Sequence, residues 1–283
     1  MLKTICRAAA VAAAIGAATS PLTAQSAEEL LNTALDKYGE RMEGIQNYTL
    51  VQDVMGTPTK VYFERETSDG HPVFRTRVVS AAGQTIRNPD ASSGAMNDPY
   101  RVFPKLAKRA KLRGDATVDG KRVKVLQIDD LSGLDWGSTA GGQTGGFEPT
   151  QMTLYLDTDR YVVRRMEMKG DVQAGGQSKP VETVATFSDY REVEGLLQPF
   201  RTTIKTEGML EASNMSPEER AKAQRSLEQM EEQMKTMPAA QKKMMEGMMG
   251  GQMKKLREML ATGSMEMTLE VTSVEVNEGP PSE

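Results

Sequence analysis

The sequence predicts an α+β fold: a curved antiparallel sheet forming an incomplete, half-open β-barrel, with an N-terminal helix and an inserted Met-rich helical hairpin. Three observations predict it. Between Met152 and Lys205, short β-branched and aromatic runs alternate with period 2 and are cut by Asp-Thr-Asp, Gly-Gly and Glu-Gly turn signals. There Met152, Leu154 and Leu156 fall on one face and Thr153, Tyr155 and Asp157 on the other, as in an antiparallel meander with one apolar side. Ala27–Arg41 instead places Leu30, Leu31, Ala34, Leu35 and Tyr38 at helical spacing. Finally, Asn214–Gly263 abandons alternation for helical spacing, and Ser264–Asn277 returns to it.

In chain order, residues 1–24 read as a signal peptide. Lys3 and Arg7 give a positive start, Ala8 to Ala18 a short apolar stretch, and Leu22-Thr23-Ala24 a cleavage site before Gln25. Export to a periplasm follows, with residues 25–283 as a single domain and the hairpin 214–262 as its insertion. Ser26 is a good N-cap for the first helix, with Glu28 and Glu29 favourable in its first turn, and Gly39 and Gly44 are expected to end it. Gln46–Val54, Thr59–Glu66 and Val73–Ser80 read as strands separated by Met-Gly-Thr-Pro and Ser-Asp-Gly-His-Pro turns. Asp98-Pro99 opens a short basic helix predicted to reach Leu112, and a Val-Asp-Gly turn leads into a strand over Arg122–Asp129. Ser132–Pro149, rich in Gly, Ser and Thr, is expected to be a mobile loop holding Trp136 and Phe147. Ser216-Pro217-Glu218-Glu219 combines an N-cap, proline at N1 and a capping box, starting a helix that Pro238 stops near Met237. A second helix is expected from about Ala239 to Leu260, loosened by Gly247 and Gly250-Gly251.

The inventory of reactive groups is thin. Beyond Cys6, which leaves with the signal, the chain has no cysteine, and it has one histidine, which excludes disulfide, zinc-cluster and thiol chemistry from the exported part. His71 sits between Gly70 and Pro72 in a turn. The pairs Asp129-Asp130 and Asp157/Asp159 occupy strand ends, where aspartate serves turns. No nucleophile elbow, Walker loop or dinucleotide fingerprint appears, so the chain reads as non-enzymatic and free of cofactor and metal. Without the signal, 33 basic face 39 acidic residues, about −6 in net charge, which argues against nucleic acid as a partner. No later stretch approaches the ~20 apolar residues of a membrane span.

Methionine is the unusual residue: 13 of the 20 lie between Met209 and Met267. Leu227, Met230, Met234 and Met237 make one stripe of the first hairpin helix; Met244, Met245, Met248, Met249, Met253, Leu256, Met259 and Leu260 make a broader one on the second. The stripes can pack on each other and on the sheet, form a shape-tolerant apolar surface, or offer thioethers to Cu(I), though without nearby His or Cys.

Leu154–Met168 (Leu-Tyr-Leu-Asp-Thr-Asp-Arg-Tyr-Val-Val-Arg-Arg-Met-Glu-Met), followed by Phe187–Phe200 (Phe-Ser-Asp-Tyr-Arg-Glu-Val-Glu-Gly-Leu-Leu-Gln-Pro-Phe), resembles the outer-membrane lipoprotein-sorting superfamily, the LolA/LolB-like periplasmic carriers. Val118-Asp119-Gly120-Lys121-Arg122-Val123, with Val125 and Leu126, resembles the strand that precedes this module, and the similarity covers about Ala27–Lys205 plus the last strand. The resemblance implies a curved, incomplete barrel whose mouth is closed by helices and whose interior holds acyl chains. The Met-rich hairpin departs from the usual pattern.

The expected function is therefore periplasmic binding or carriage of an apolar ligand, lipid or lipoprotein acyl chains. The alternative is an interaction or envelope-sensor module with an envelope protein partner. On alternation phase, Phe63, Leu154, Phe200, Ile204 and Leu269 are expected on the inward face, and Met230, Met234, Met245 and Met248 on a hairpin acting as a lid.

Overall fold

The computed structural model describes residues 25–68, 70–85, 99–134, 147–174, 176–213, 215–238, 241, 253 and 256–280. The signal peptide, Trp136, Met245 and Met248 lie outside the described residues.

Alternation becomes strand throughout. The elements are α1 (Ala27–Arg41), β1 (Asn47–Val54), β2 (Thr57–Ser68), β3 (His71–Ala81), β4 (Gln84–Thr85), α2 (Phe103–Leu106, flanked by 3-10 turns), β5 (Ala110–Val118), β6 (Lys121–Ile128), β7 (Phe147–Asp157), β8 (Val162–Ala174), β9 (Gln177–Val193), β10 (Leu196–Glu207), α3 (Met209–Ala212), α4 (Pro217–Thr236), helical residues 256–262 (α5) and β11 (Met265–Val276). All eleven strands form one open antiparallel sheet, ordered β4-β3-β2-β1-β11-β10-β9-β8-β7-β6-β5. Its two halves are consecutive meanders, and the last strand joins them. The fold is thus the expected α+β half-open barrel.

Several turns have the same local chemistry. Met55-Gly56, Ala82-Gly83, Asp119-Gly120 and Glu194-Gly195 each put two consecutive residues at positive φ. That is the two-residue hairpin turn whose twist matches the sheet, and glycine occupies the second site because it carries no Cβ to clash there.

α1 begins at the expected cap: the Ser26 hydroxyl accepts from the Glu29 N–H, and the Glu29 carboxylate accepts from the Ser26 N–H. The helix runs through Gly39 to Arg41, so Gly39 does not end it. Leu30, Leu31, Ala34 and Leu35 are buried in one cluster with Phe103 and Leu106 of the α2 region and with Leu126, Ile128, Met152, Leu154, Leu156, Val163, Met166, Met168 and Ala185 of β6–β9. Each buried leucine there contributes roughly 1.5–3 kcal/mol. A second cluster joins Tyr38 and Met42 to Tyr48, Leu50, Val61, Phe63, Phe74, Leu196 and Val276.

Three further sequence expectations are corrected. The helical stretch after Pro99 ends at Arg109, and Ala110–Leu112 already belongs to β5. Strand β5 has no buried residue, so neither of its faces carries the apolar alternation that marks a strand. Phe147 opens β7 rather than sitting in a loop. His71 is the first residue of β3, paired with Ser68, rather than a turn residue.

Candidate functional site

Antiparallel register determines which side chains share a face, because directly paired residues point the same way. One unbroken row runs Leu126–Leu154–Met166–Ala185–Ile204–Met267 across β6, β7, β8, β9, β10 and β11. Its first four members lie under α1 in the main core, so this is the inner face. A second row runs Val54–Leu269–Thr202–Phe187 across β1, β11, β10 and β9. Thr202 and Phe187 lie two residues from Ile204 and Ala185 on their strands, so this row faces inward too.

The inner face is therefore divided. Over β6–β9 it is sealed by α1 and the α2 region; Leu154 and Leu156 are 0% exposed. Over β1, β11 and β10 it is mixed: Tyr48, Leu50 and Phe200 are buried, while Val54, Met267, Leu269, Val271 and Ile204, with Phe187 of β9, are only half-buried. This strip, interrupted by Thr202, is the candidate apolar site.

The residues expected from sequence are distributed between these regions. Ile204 and Leu269 belong to the strip. Leu154 lies in the sealed half. Phe63, paired with Tyr48 and so on the inner face as expected, is buried there, stacked on Tyr48 with ring centroids 4.4 Å apart. Phe200 is buried beneath the Arg191 guanidinium, 4.5 Å from its ring centroid, and Asp189 in turn pairs with Arg191. Met230 and Met234 pack within the hairpin, around a small cluster of Leu210, Leu227, Met253 and Leu260. Val54 and Phe187 escape sequence reasoning because their place depends on pairings β1–β11 and β9–β10, and a bulge at Val51/Gln52 shifts the first.

Polar chemistry lies elsewhere. At the C-terminal end of α1 a cleft of about 370 Å³ is lined by residues including Lys37, Arg41, Asp159, Arg160, Tyr190 and Glu192. Arg41 is engaged there, donating to the carbonyl oxygens of Arg160 at 2.7 Å and Tyr161 at 3.2 Å. Asp129 accepts from Lys111, Gln151 and Gln127, and these bonds hold its carboxyl down at about 2. On the outer face, Arg75 and Arg77 pair with Glu64, and Arg165 pairs with Glu167 while lying over Tyr155. Among the described residues, no group of three or more His, Cys, Asp or Glu could hold a metal ion, and no helix is long and apolar enough to cross a membrane.

No protein-family model and no curated protein matches the sequence. Among solved structures, the chain is similar to a DUF1329 family protein from Desulfovibrio piger, at 10% identity and a TM-score of 0.39, over 90% of this chain and 93% of that one. It is also similar to a protein described as an outer membrane lipoprotein-sorting domain from Vibrio parahaemolyticus, at 10% identity and a TM-score of 0.40, over 90% and 95%. A LolA superfamily protein from Nitrosomonas europaea aligns at 10% identity and a TM-score of 0.32, over 88% and 94%.

Proposed function

We propose that this is an exported, periplasmic, non-enzymatic protein that binds or carries an apolar ligand, lipid or lipoprotein acyl chains, along the inner strip of its half-barrel. The observation that carries this reading is the contrast within one face. Where α1 covers the sheet, inward side chains are fully buried; along Val54, Leu269, Met267, Ile204 and Phe187 they are not. A mostly apolar, half-open strip on the inner face of a curved sheet is a ligand-type surface. The resemblance of Leu154–Met168 and Phe187–Phe200 to the lipoprotein-sorting superfamily supports the same reading.

The test is lipid extraction of the purified protein together with titration of a fluorescent fatty acid. Leu269→Asp and Ile204→Asp should each weaken fatty-acid binding by about tenfold or more, the equivalent of ~1.4 kcal/mol, because a carboxylate in the strip must stay hydrated. Retention of the β-sheet circular dichroism spectrum separates this from unfolding. A second reading, an interaction module for an envelope protein, is favoured by the sealed half, where the cup is filled by the protein's own side chains. Absence of co-purifying lipid and of fatty-acid binding would select it.

A further inference from the structure

The methionine enrichment has a structural counterpart that owes nothing to a ligand. The hairpin owns a small apolar cluster in which Leu210, Leu227, Met253 and Leu260 are buried and Met215, Met230, Met234 and Met259 pack around them half-buried. It shares no residue with the two clusters of the sheet. Four other methionines sit deep in those clusters: Met42 at 1%, Met152 at 1%, Met166 at 3% and Met168 at 2% exposure. These methionines form two contrasting groups, one sealed in the sheet core and one lining the rim of a satellite core; Met55, Met209, Met237, Met265 and Met267 are half-buried and belong to neither.

We infer that Met215, Met230, Met234 and Met259 form an oxidant-responsive site, at which hydroperoxides or hypochlorous acid convert thioethers to sulfoxides and thereby open the helical hairpin while the sheet stays folded. The chemistry is closed. With hydrogen peroxide, the sulfur lone pair attacks one peroxide oxygen and the O–O bond breaks. Sulfur gains the oxygen and loses two electrons, and the peroxide is reduced to water. Half-burial leaves the sulfur within reach of a small oxidant, whereas the core methionines react only when the sheet opens. A sulfoxide is polar, so it is poorly accommodated against Leu227 and Leu260. The hairpin has little else to hold it. Its described polar ties between helices are Arg257 to Glu231 and Arg220 to the Leu260 carbonyl, and in proteins most helical stability comes from packing of an apolar face.

The experiment treats the full exported chain with hydrogen peroxide and follows each methionine by peptide mass spectrometry. Circular dichroism and limited proteolysis run in parallel. The expected result is sulfoxide at Met215, Met230, Met234 and Met259 on the order of tenfold or more faster than at Met42, Met152, Met166 and Met168. Loss of helical signal and new cleavage confined to 209–263 should follow. Treatment with methionine sulfoxide reductases should restore both. The M215L/M230L/M234L/M259L variant, close to isosteric, should keep its helical signal and resist cleavage under the same peroxide. Equal oxidation of core and hairpin methionines would overturn the inference, as would a quadruple variant that still opens. Full oxidation of the four sites with no change in helicity or cleavage would overturn it equally.

Discussion

Arg164 grips Asp157 across the β7–β8 turn, donating to one carboxylate oxygen from Nε at 2.9 Å and from Nη2 at 2.7 Å. The two side chains are 9% and 3% exposed, so this is a buried, bidentate pair in a chain whose other ion pairs among the described residues are more exposed. The other Asp157 oxygen accepts from the N–H groups of Asp159 and Arg160, closing the turn, and the Tyr190 ring lies 4.8 Å from the guanidinium. Arg164→Met should therefore destabilise the protein by about 3–5 kcal/mol, because it leaves a buried carboxylate without its counter-ion. Adding Asp157→Asn should recover part of that loss, since the amide oxygen can still close the turn. Urea denaturation of the single and double variants measures both.

Asp157 and Asp129, near opposite ends of β7, set the acid side of the pH response. Burial pushes the Asp157 carboxyl up, but Arg164 and the two backbone N–H groups outweigh it and hold it below the usual range. Asp129 is held at about 2 by Lys111, Gln151 and Gln127. A depressed carboxylate stabilises the fold above its unfolded pKa and loses that contribution as pH falls through its folded value. Stability should thus be level from neutrality down to about pH 4 and decline below, and Asp129→Asn should flatten part of the decline. On the alkaline side, burial drives the Tyr190 phenol well above its ordinary value, and its hydroxyl donates to the Val163 carbonyl at 2.5 Å. The unfolded chain then releases this proton first, so stability should fall as pH rises past about 10, and less in Tyr190→Phe. Thermal melts across pH read both limbs.

How much of this was legible in the sequence varied with the range of the interactions. α1, its Ser26 cap and the Ser216 capping box with Pro217 are local, and local signals were sufficient. The one-sided strands β7 and β8 were readable because a buried face imposes period 2. β5 was not, since a strand with no buried residue, containing Gly114 and four charged or polar side chains, leaves no such trace. For the site, alternation could identify Ile204 and Leu269 as inward, but it could not tell a sealed position from an open one. Leu154 and Ile204 belong to the same row; only the placement of α1 separates them. That placement is a long-range packing outcome.

Gly170 in β8 is a position where a side chain has no room. A Cβ built there would lie 2.5 Å from the Glu148 carbonyl oxygen and 2.7 Å from the Phe147 ring, which packs across the glycine from β7. Gly170→Ala should cost about 1–3 kcal/mol, the range of overpacking in a tight site. Because the nearer obstacle is backbone, Phe147→Leu in the Gly170→Ala background should restore little of the lost stability. Full restoration would mean that the ring, not the Glu148 carbonyl, sets the limit. Guanidinium denaturation of the two single variants and the double variant distinguishes these.

The hairpin can be removed without touching the sheet cores. Its ends leave and re-enter at neighbouring strands: Thr206 pairs with Met265, and the Met209 N–H donates to the Gly263 carbonyl at 3.2 Å. Replacing Gly208–Gly263 by Asn-Gly would join Glu207 to Ser264 through a two-residue turn, the loop that suits an antiparallel pair of this register. Since the hairpin's cluster contains no residue of the other two, the shortened protein should keep its β-sheet circular dichroism and unfold cooperatively. The main contact surrendered is the close approach of Gly208 to the Pro180 carbonyl and of α3 to β8 and β9, so the stability loss should be modest, on the order of 1–2 kcal/mol. The variant also decides what the hairpin does. If it closes the mouth of the cup, the shortened protein should bind a fluorescent fatty acid more weakly and release it faster. If binding and release are unchanged, the hairpin works as an arm for a protein partner, and Ile204 and Leu269 must be reached by a route that it does not guard.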